Sequence, residues 1–315
     1  MLLYLVRRAL TAVVSVVLAS LVVFSALLAI PGDPAEIILG LDASPEARTA
    51  LRDQLGLNRP APVRYLTWVA GALRGDLGES IVYQRPVRAL IADRLGVSVP
   101  LALGAALIAG LIALPLGLLA ALRRGTWVDP VVTSVAQLGA AVPSFWLGLL
   151  FVLLFAVELG WLPAGGFSPW ARDPVASMRS LVLPMLALGL GQAAVMTRMT
   201  RSSMIEALAQ DYVRTARAKG LPPARVTFGH ALRNALVTLV TILGLSLTNV
   251  FIGSIVIEQV FALPGLGQLA LTAIGTRDLP LVQGEILLYA TTIIVLSFLV
   301  DASYALLDPR IRYEA

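Results

Sequence analysis

Apolar residues fall in long charge-free runs along this chain, and the lengths of those runs predict its elements. A helix needs about 20 mostly apolar residues to cross a hydrocarbon core of about 30 Å. Five runs meet or approach this length, and a sixth is interrupted only by Glu285 and Asp301. The pattern therefore predicts an all-α polytopic membrane protein with six transmembrane helices, at residues 9–30, 97–122, 131–157, 181–197, 235–257 and 281–307.

The first run could also be a secretory signal peptide, because Arg7 and Arg8 precede it. A signal peptide has an apolar region of about 7–15 residues, followed by a small-residue cleavage site. This run is 22 residues long and no such site follows it, which favours an uncleaved first span.

Basic residues are unevenly distributed between the connecting segments. If the N-terminus is inside, the cytoplasmic segments hold 13 arginines and lysines and the two short outer loops hold three. Cytoplasmic loops of membrane proteins carry the excess of Lys and Arg, whereas long outer loops such as 31–96 contribute little to this bias. We therefore expect both termini to be cytoplasmic.

Composition excludes several classes of protein and site. The chain is 58% hydrophobic and 14% charged, far from the values of soluble or disordered chains. It has no cysteine, only one histidine (His230) and only one lysine, Lys219, which does not follow the glycine of a phosphate-binding loop. We therefore expect no catalytic residue, no metal and no cofactor bound by this chain. The net charge of +5 lies mainly in the cytoplasmic segments and does not indicate nucleic-acid binding.

The segment 198–234 is too long and too basic for a simple connection. It carries seven basic and two acidic side chains. Helical spacing places Ile205, Leu208, Tyr212 and Ala216 on one face of a predicted helix. Gly220 and the following Leu-Pro-Pro predict a sharp turn, and a second helix is expected at about 224–234.

Two interpretations of this helix pair compete. A basic amphipathic helix can lie on anionic lipid, but the apolar face here is narrow and partly alanine, which gives weak anchoring. A docking element for a cytosolic partner is therefore favoured.

The residues Asp211-Tyr-Val-Arg-Thr-Ala-Arg-Ala-Lys-Gly220 resemble the EAA loop of bacterial ABC-importer permeases of the dipeptide, oligopeptide and nickel group. The first position of that motif is commonly Glu and is Asp here. The characteristic alanine and glycine match at Ala216 and Gly220.

Further motifs extend the resemblance over essentially the whole chain. The segments 143–148 and 159–163 are similar to the third span of that family and the outer loop after it, and 307–310 is similar to its C-terminal ending. The last outer loop is similar at Glu258, Phe261, Pro264, Gly265, Arg277 and Asp278. The first span and long segment 31–96 resemble the first of the two permeases in such systems.

The resemblance implies a domain organisation, a function and partners. Residues 1–96 are expected to form the first transmembrane helix plus a long outer loop, and 97–315 a five-helix permease core with the EAA loop at 198–234. The chain would be a permease subunit in the bacterial plasma membrane, not an enzyme, in an ATP-driven importer of dipeptides or oligopeptides. Expected partners are a second homologous permease, two cytosolic ATPase subunits or domains that bind ATP and Mg, an extracytoplasmic binding protein and membrane lipid.

The resemblance also implies two sets of site residues. Contact with the ATPases is expected at Asp211, Tyr212, Arg214, Thr215, Ala216 and Gly220. The outer-loop candidates for the substrate path are Glu258, Phe261, Pro264, Gly265, Arg277 and Asp278.

Two other functions remain open from the residues alone. A secondary transporter or channel would work without ATPases, and a membrane scaffold would only recruit cytosolic proteins. Secondary transporters tend to carry midplane charges or paired broken helices, whereas Glu285 and Asp301 lie near span ends and favour an interfacial or interhelical role over proton relay. Nickel and glutathione are alternative substrates to peptides.

Overall fold

A computed structural model describes residues 2–29, 36, 39, 44–54 and 56–307 of the chain. In these ranges the chain is helical, and its only β pairing is an isolated bridge between Glu79 and Pro86. The helices are α1 (Leu2–Ala29), α2 (Pro45–Gln54), α3 (Ala61–Leu73), α4 (Val87–Leu122), α5 (Val128–Ala141), α6 (Ser144–Phe151), α7 (Pro174–Ala209), α8 (Asp211–Ala218), α9 (Leu232–Val260), α10 (Leu266–Gly275) and α11 (Leu279–Leu307). Two π-helical segments, Val152–Glu158 and Arg225–Ala231, follow α6 and precede α9.

Five of these helices are long and apolar enough to cross a membrane: α1, α4, α7, α9 and α11. A sixth span is reached if the bent pair formed by α5 and by α6 with its π-helical extension counts as one. The predicted all-α membrane fold is therefore confirmed. The C-terminal motif at 307–310 lies, apart from Leu307, outside the described residues.

The third predicted span is not one straight helix. α5 and α6 meet at an angle of 92°, at Val142 and Pro143. Proline has no N–H for a helical hydrogen bond and disfavours helical geometry in the residue before it. Val142 is accordingly extended, with ψ of 123°. The span predicted over 131–157 is therefore sharply bent at Pro143.

The chain divides into two compact units. The first is built mainly from Val97–Pro264, and within it α7 packs against α5, α6 and α9. Close approach between its helices depends on small residues. A Cβ added at Gly117 would lie 2.8 Å from the carbonyl oxygen of Thr197, and one added at Gly189 would lie 2.9 Å from that of Ala105. Small residues let helix backbones come together in this way in membranes.

The second unit consists of Arg7–Gly96 and Gly265–Val295. Within it α3 lies against α1, where the hydroxyls of Tyr65 and Ser20 are 2.8 Å apart. Glu285 is buried in this unit, with 1% of its surface exposed, which agrees with the interhelical alternative for this residue and not with the interfacial one.

Candidate functional site

In the segment 198–234, the first of the two predicted helices, which was expected to run without a break to Gly220, is interrupted. α7 ends at Ala209, Gln210 is extended with ψ of 151°, and α8 starts again at Asp211. The break shifts the helical phase between Leu208 and Tyr212. Ile205, Leu208 and Ala216 still pack against one hydrophobic cluster, as their spacing predicts, and only Tyr212 departs from that face.

The buried face of α8 is formed by Val213 and Ala216, which are 0% and 5% exposed. Both belong to a hydrophobic cluster with Met204 at the end of α7 and with Val226 and Ala231 in the second segment. Complete burial of a valine side chain stabilises by about 1.5–3 kcal/mol. Apolar packing therefore attaches α8 to the membrane-spanning helices of the same unit.

The opposite face of α8 is exposed. Tyr212, which the spacing placed on the apolar face, is 38% exposed. Asp211 and Arg214 form a long surface ion pair of 3.4 Å, and their side chains are 96% and 76% exposed. The hydroxyl of Thr215 donates to the carbonyl oxygen of Asp211 at 2.9 Å, so its polar group is satisfied locally. This exposed face offers an aromatic ring and positive charge for contact.

Gly220 ends α8 as predicted. Its φ of +75° is in the left-handed region, where glycine is favoured over other residues. The N–H groups of Gly220 and Leu221 donate to the carbonyl oxygens of Arg217 and Ala216, at 2.9 and 3.3 Å. These two bonds form the Schellman arrangement that satisfies the last carbonyls of a helix. A side chain added at Gly220 would meet open space.

The second segment differs from the α-helix expected at about 224–234. Its Arg225–Ala231 portion is π-helical and then continues directly into α9. Val226, Thr227 and Ala231 are buried, whereas the ring of Phe228 is 58% exposed. Sequence reasoning did not single out Phe228, although an aromatic residue within a polar and basic stretch is a signal for an exposed ring. His230, half-buried here, carries no site.

An ion pair also holds the base of this segment. Asp129 at the start of α5 accepts two hydrogen bonds from the guanidinium of Arg201 on α7, at 2.5 and 2.8 Å. Asp129 is only 8% exposed. Because the two residues are 72 positions apart, no local pattern could have paired them. The bidentate geometry connects the part of α7 at the start of the segment to the start of α5.

Three of the six outer-loop candidates lie in the first unit. The carboxylate of Glu258, 0% exposed, accepts a hydrogen bond of 2.6 Å from the hydroxyl of Ser98. The ring of Phe261 is fully buried and packs against Gly148, where an added Cβ would lie 2.9 Å from the ring. Pro264 is half-buried. Glu258 and Phe261 thus belong to the packed interior in this structure.

The other three outer-loop candidates lie in the second unit. Gly265 precedes α10 as its N-cap, and Arg277 is exposed with φ of +54°. Asp278 is 0% exposed, and its carboxylate accepts hydrogen bonds from the hydroxyl of Ser80 and from the N–H groups of Ile81, Val82 and Leu281, at 2.5–3.3 Å. This carboxylate joins the 80–82 turn to the start of α11.

Two family models match this chain. Residues 113–313 match the inner membrane component of binding-protein-dependent transport systems, and residues 1–102 match the N-terminal region of the membrane component. The chain belongs to this family. It is a permease subunit of the ABC-importer type and a multi-pass protein of the bacterial plasma membrane.

Several proteins are similar to this permease over its whole length. It is 43% identical over 308 residues to a protein named as a peptide transport system permease of Brucella abortus (strain 2308), and 98% of each chain is covered. It is 39% identical over 314 residues to the glutathione transport system permease protein GsiC of Escherichia coli O6:H1, with 100% of both chains covered.

The permease also resembles a solved structure in its fold. A chain of the inward-facing MetNI methionine ABC transporter matches it with a TM-score of 0.57 at 18% identity. The match covers 70% of this permease and 96% of the other chain.

Proposed function

We propose that this permease and a second, homologous permease enclose the path of an ATP-driven importer for dipeptides or oligopeptides. Its relatives at 43% and 39% identity are named for peptide and glutathione transport, and glutathione is itself a tripeptide. Two relatives named for peptide and glutathione transport, each covered over nearly the whole chain, support a peptide substrate over nickel.

ATP and Mg bind to two cytosolic ATPase subunits or domains in this proposal. A phosphate-binding loop needs a lysine after its second glycine, and Lys219 follows an alanine. The permease contributes the path, while its partners supply the energy. Both termini are cytoplasmic, which places 198–234 on the same side of the membrane as the ATPases.

The exposed face of α8 is the proposed ATPase contact. The observation that carries this assignment is the division of α8 into two faces. Val213 and Ala216 hold the helix to the spans, whereas Asp211, Tyr212, Arg214 and Thr215 face outward. A rigid-body movement of the ATPases against the outward face is transmitted to α7 through the packed cluster around Met204. Gly220 limits the length of the contact helix.

The outer loop acts on the other side of the membrane. An extracytoplasmic binding protein delivers the peptide there, close to the segments 258–265 and 277–280 and to the long segment 31–96. Glu258, Phe261 and Asp278 set the shape of these segments from inside. Arg277, the exposed charged residue of the set, meets the incoming peptide or its binding protein.

Purification of the tagged permease from its native membrane tests the assembly. We expect a second membrane-spanning permease and an ATPase to co-purify, and labelled dipeptide or tripeptide uptake to be lost in a strain without this gene and restored by its return. Solute movement by the purified permease alone in liposomes, driven by an ion gradient, would contradict the proposal.

A further inference from the structure

The second unit contains a cavity of about 270 Å³ that the proposed transport mechanism does not use. α1, α3, the start of α11 and the 56–59 turn supply its walls. The residues on which its chemistry depends are Phe24, Arg59, Arg64, Trp68 and Gln283.

One side of the cavity is apolar and lies against a lipid-facing helix. The ring of Phe24 on α1 is 5.4 Å from that of Tyr65 and 6.4 Å from that of Trp68. Around this cluster α1 exposes large apolar side chains, and Leu18 and Val22 are 56% and 66% exposed. Tyrosine and tryptophan are enriched where membrane proteins cross the headgroup region. The cavity therefore lies beside a surface suited to acyl chains.

Two hydrogen-bond donors in the walls lack acceptors. The indole N–H of Trp68 and the side-chain amide nitrogen of Gln283 are buried and have no hydrogen-bond partner among the residues that the structure describes. Buried donors without an acceptor are costly, and most are satisfied in native proteins. A ligand with acceptor oxygens would remove this cost.

The charge of the cavity points to an anion. Arg59 and Arg64 line it, Arg64 being half-buried, and no aspartate or glutamate is among the described lining residues. Within the described part of the chain neither guanidinium forms an ion pair. Two unpaired guanidiniums and two unpaired donors fit a group with several acceptor oxygens, and the planar fork of arginine matches phosphate in particular.

We propose that this cavity binds the phosphate group of a membrane phospholipid, whose acyl chains lie along α1. Phosphate chemistry alone would also suit a free phosphate ion. The adjacent apolar surface of α1 and the Phe24 wall favour the lipid, because a free ion gains nothing from them. The outer leaflet is the source, which rests on the proposed orientation of the permease.

Lipid titration of the full-length permease in detergent, followed by native mass spectrometry with phosphatidylglycerol, tests this site. Arg64→Gln should weaken lipid binding about tenfold, as expected for the loss of a charge-assisted hydrogen bond. Arg74→Gln is the matched control, since Arg74 ends the same helix, is exposed and does not line the cavity. It should bind lipid like the unmodified protein. Equal binding by both variants and the unmodified protein would overturn the proposal.

A second variant keeps the test valid if Arg64→Gln fails to fold. Trp68→Phe retains the aromatic ring and removes only the indole N–H, so it should fold and still bind phosphatidylglycerol several-fold more weakly. Unchanged lipid binding by a folded Trp68→Phe would contradict the donor's role.

Two further ligands distinguish the sources of the phosphate. Diacylglycerol, which lacks the phosphate, should not occupy the site, and inorganic phosphate should not displace the lipid. Displacement of the lipid by inorganic phosphate would assign the cavity to a free ion and overturn the lipid proposal. Peptide uptake and ATPase co-purification do not depend on this outcome, so its failure and that of the proposed function are separable.

Discussion

Helix α8 and the segment 258–280 both carry residues that match family motifs, but these residues are placed differently in the two regions. In α8 the motif side chains Asp211, Tyr212 and Arg214 are exposed, and only its apolar positions are buried. In the segment 258–280 Glu258 and Asp278 are fully buried and bonded to other parts of their own units. A motif residue can thus present a surface to a partner or maintain a local shape, and burial with internal bonding distinguishes the two.

The largest expected effect is on stability, from Asp278→Ala. Four donors, among them the hydroxyl of Ser80, lose their acceptor inside the protein. Each buried unsatisfied donor is costly, so the free energy of unfolding should fall by about 3 kcal/mol or more. Thermal unfolding in detergent, followed by size-exclusion chromatography, measures this change. The exposed Arg277→Ala is the neighbouring control and should unfold at the original temperature. Equal unfolding temperatures for Asp278→Ala and the unmodified protein would contradict the claim that this carboxylate stabilises the fold.

Gly220→Trp tests whether the exposed region at the end of α8 contacts the ATPase. The new side chain has open space in the isolated chain and projects from the end of the proposed contact helix. The left-handed backbone costs about 1–2 kcal/mol, while capture of the ATPase should fall about tenfold or more. Quantitative co-purification measures the capture.

Gly75→Trp separates the backbone cost from the loss of contact. Gly75 has φ of +79°, and an added Cβ there also meets open space, but it lies in the segment 31–96, which the proposed topology places on the other side of the membrane from α8. This variant should have the same cost of a side chain in the left-handed backbone region and should still capture the ATPase. Equal capture by both variants would contradict the contact at Gly220.

The ion pair of Asp129 and Arg201 allows a buried charged contact to be compared with an exposed charge inside the first unit. Arg201→Gln leaves a nearly buried carboxylate with only a 3.4 Å contact to Thr133. The free energy of unfolding should fall by about 1–3 kcal/mol. Arg198→Gln, an exposed arginine on the same helix, should be neutral in the same thermal assay. The double variant with Asp129→Asn should lose less than the two single losses combined, because the two residues interact directly.

The smallest effect on stability is expected from two exposed rings, Tyr212 on the proposed contact face and Phe228 in the π-helical segment, which we expect to extend that contact. Tyr212→Ala and Phe228→Ala remove side chains that are 38% and 58% exposed, so the unfolding temperature should not change measurably. ATPase capture should nevertheless weaken about fivefold, as aromatic residues dominate many interfaces. Trp161→Ala is the control: this ring is 60% exposed and lies on the other side of the membrane in the proposed topology, so its removal should leave capture intact. If these variants lower the unfolding temperature but leave ATPase capture intact, the two rings stabilise the fold and do not contact the ATPase.

The spans were predictable because a membrane helix appears in the sequence as a long apolar run with few or no charged residues. The turn at Gly220 was predictable as well, since glycine followed by Leu-Pro-Pro permits few conformations. The break at Gln210 was not, because glutamine is an ordinary helix former and packing of Met204 and Val213 into one cluster decides the phase.

Long-range pairings were also beyond sequence reasoning. The partners of Asp129 and Asp278 lie 72 and about 200 positions away along the chain. For the segment 258–280, the sequence showed which residues matched the family but not that Glu258 and Asp278 would be buried. Their burial results from tertiary packing in each unit, to which no local pattern corresponds.

The absence of cysteine from the chain makes one direct measurement of the contact possible. A cysteine introduced as Arg214→Cys is the only thiol of the permease and can carry a short photo-crosslinker. Irradiation of the assembled transporter should join it to the cytosolic ATPase. Leu73→Cys, at an 85% exposed position that the proposed topology places on the other side of the membrane, should give no ATPase adduct. If Arg214→Cys is fully labelled and no ATPase adduct forms, the exposed face of α8 is not the coupling surface.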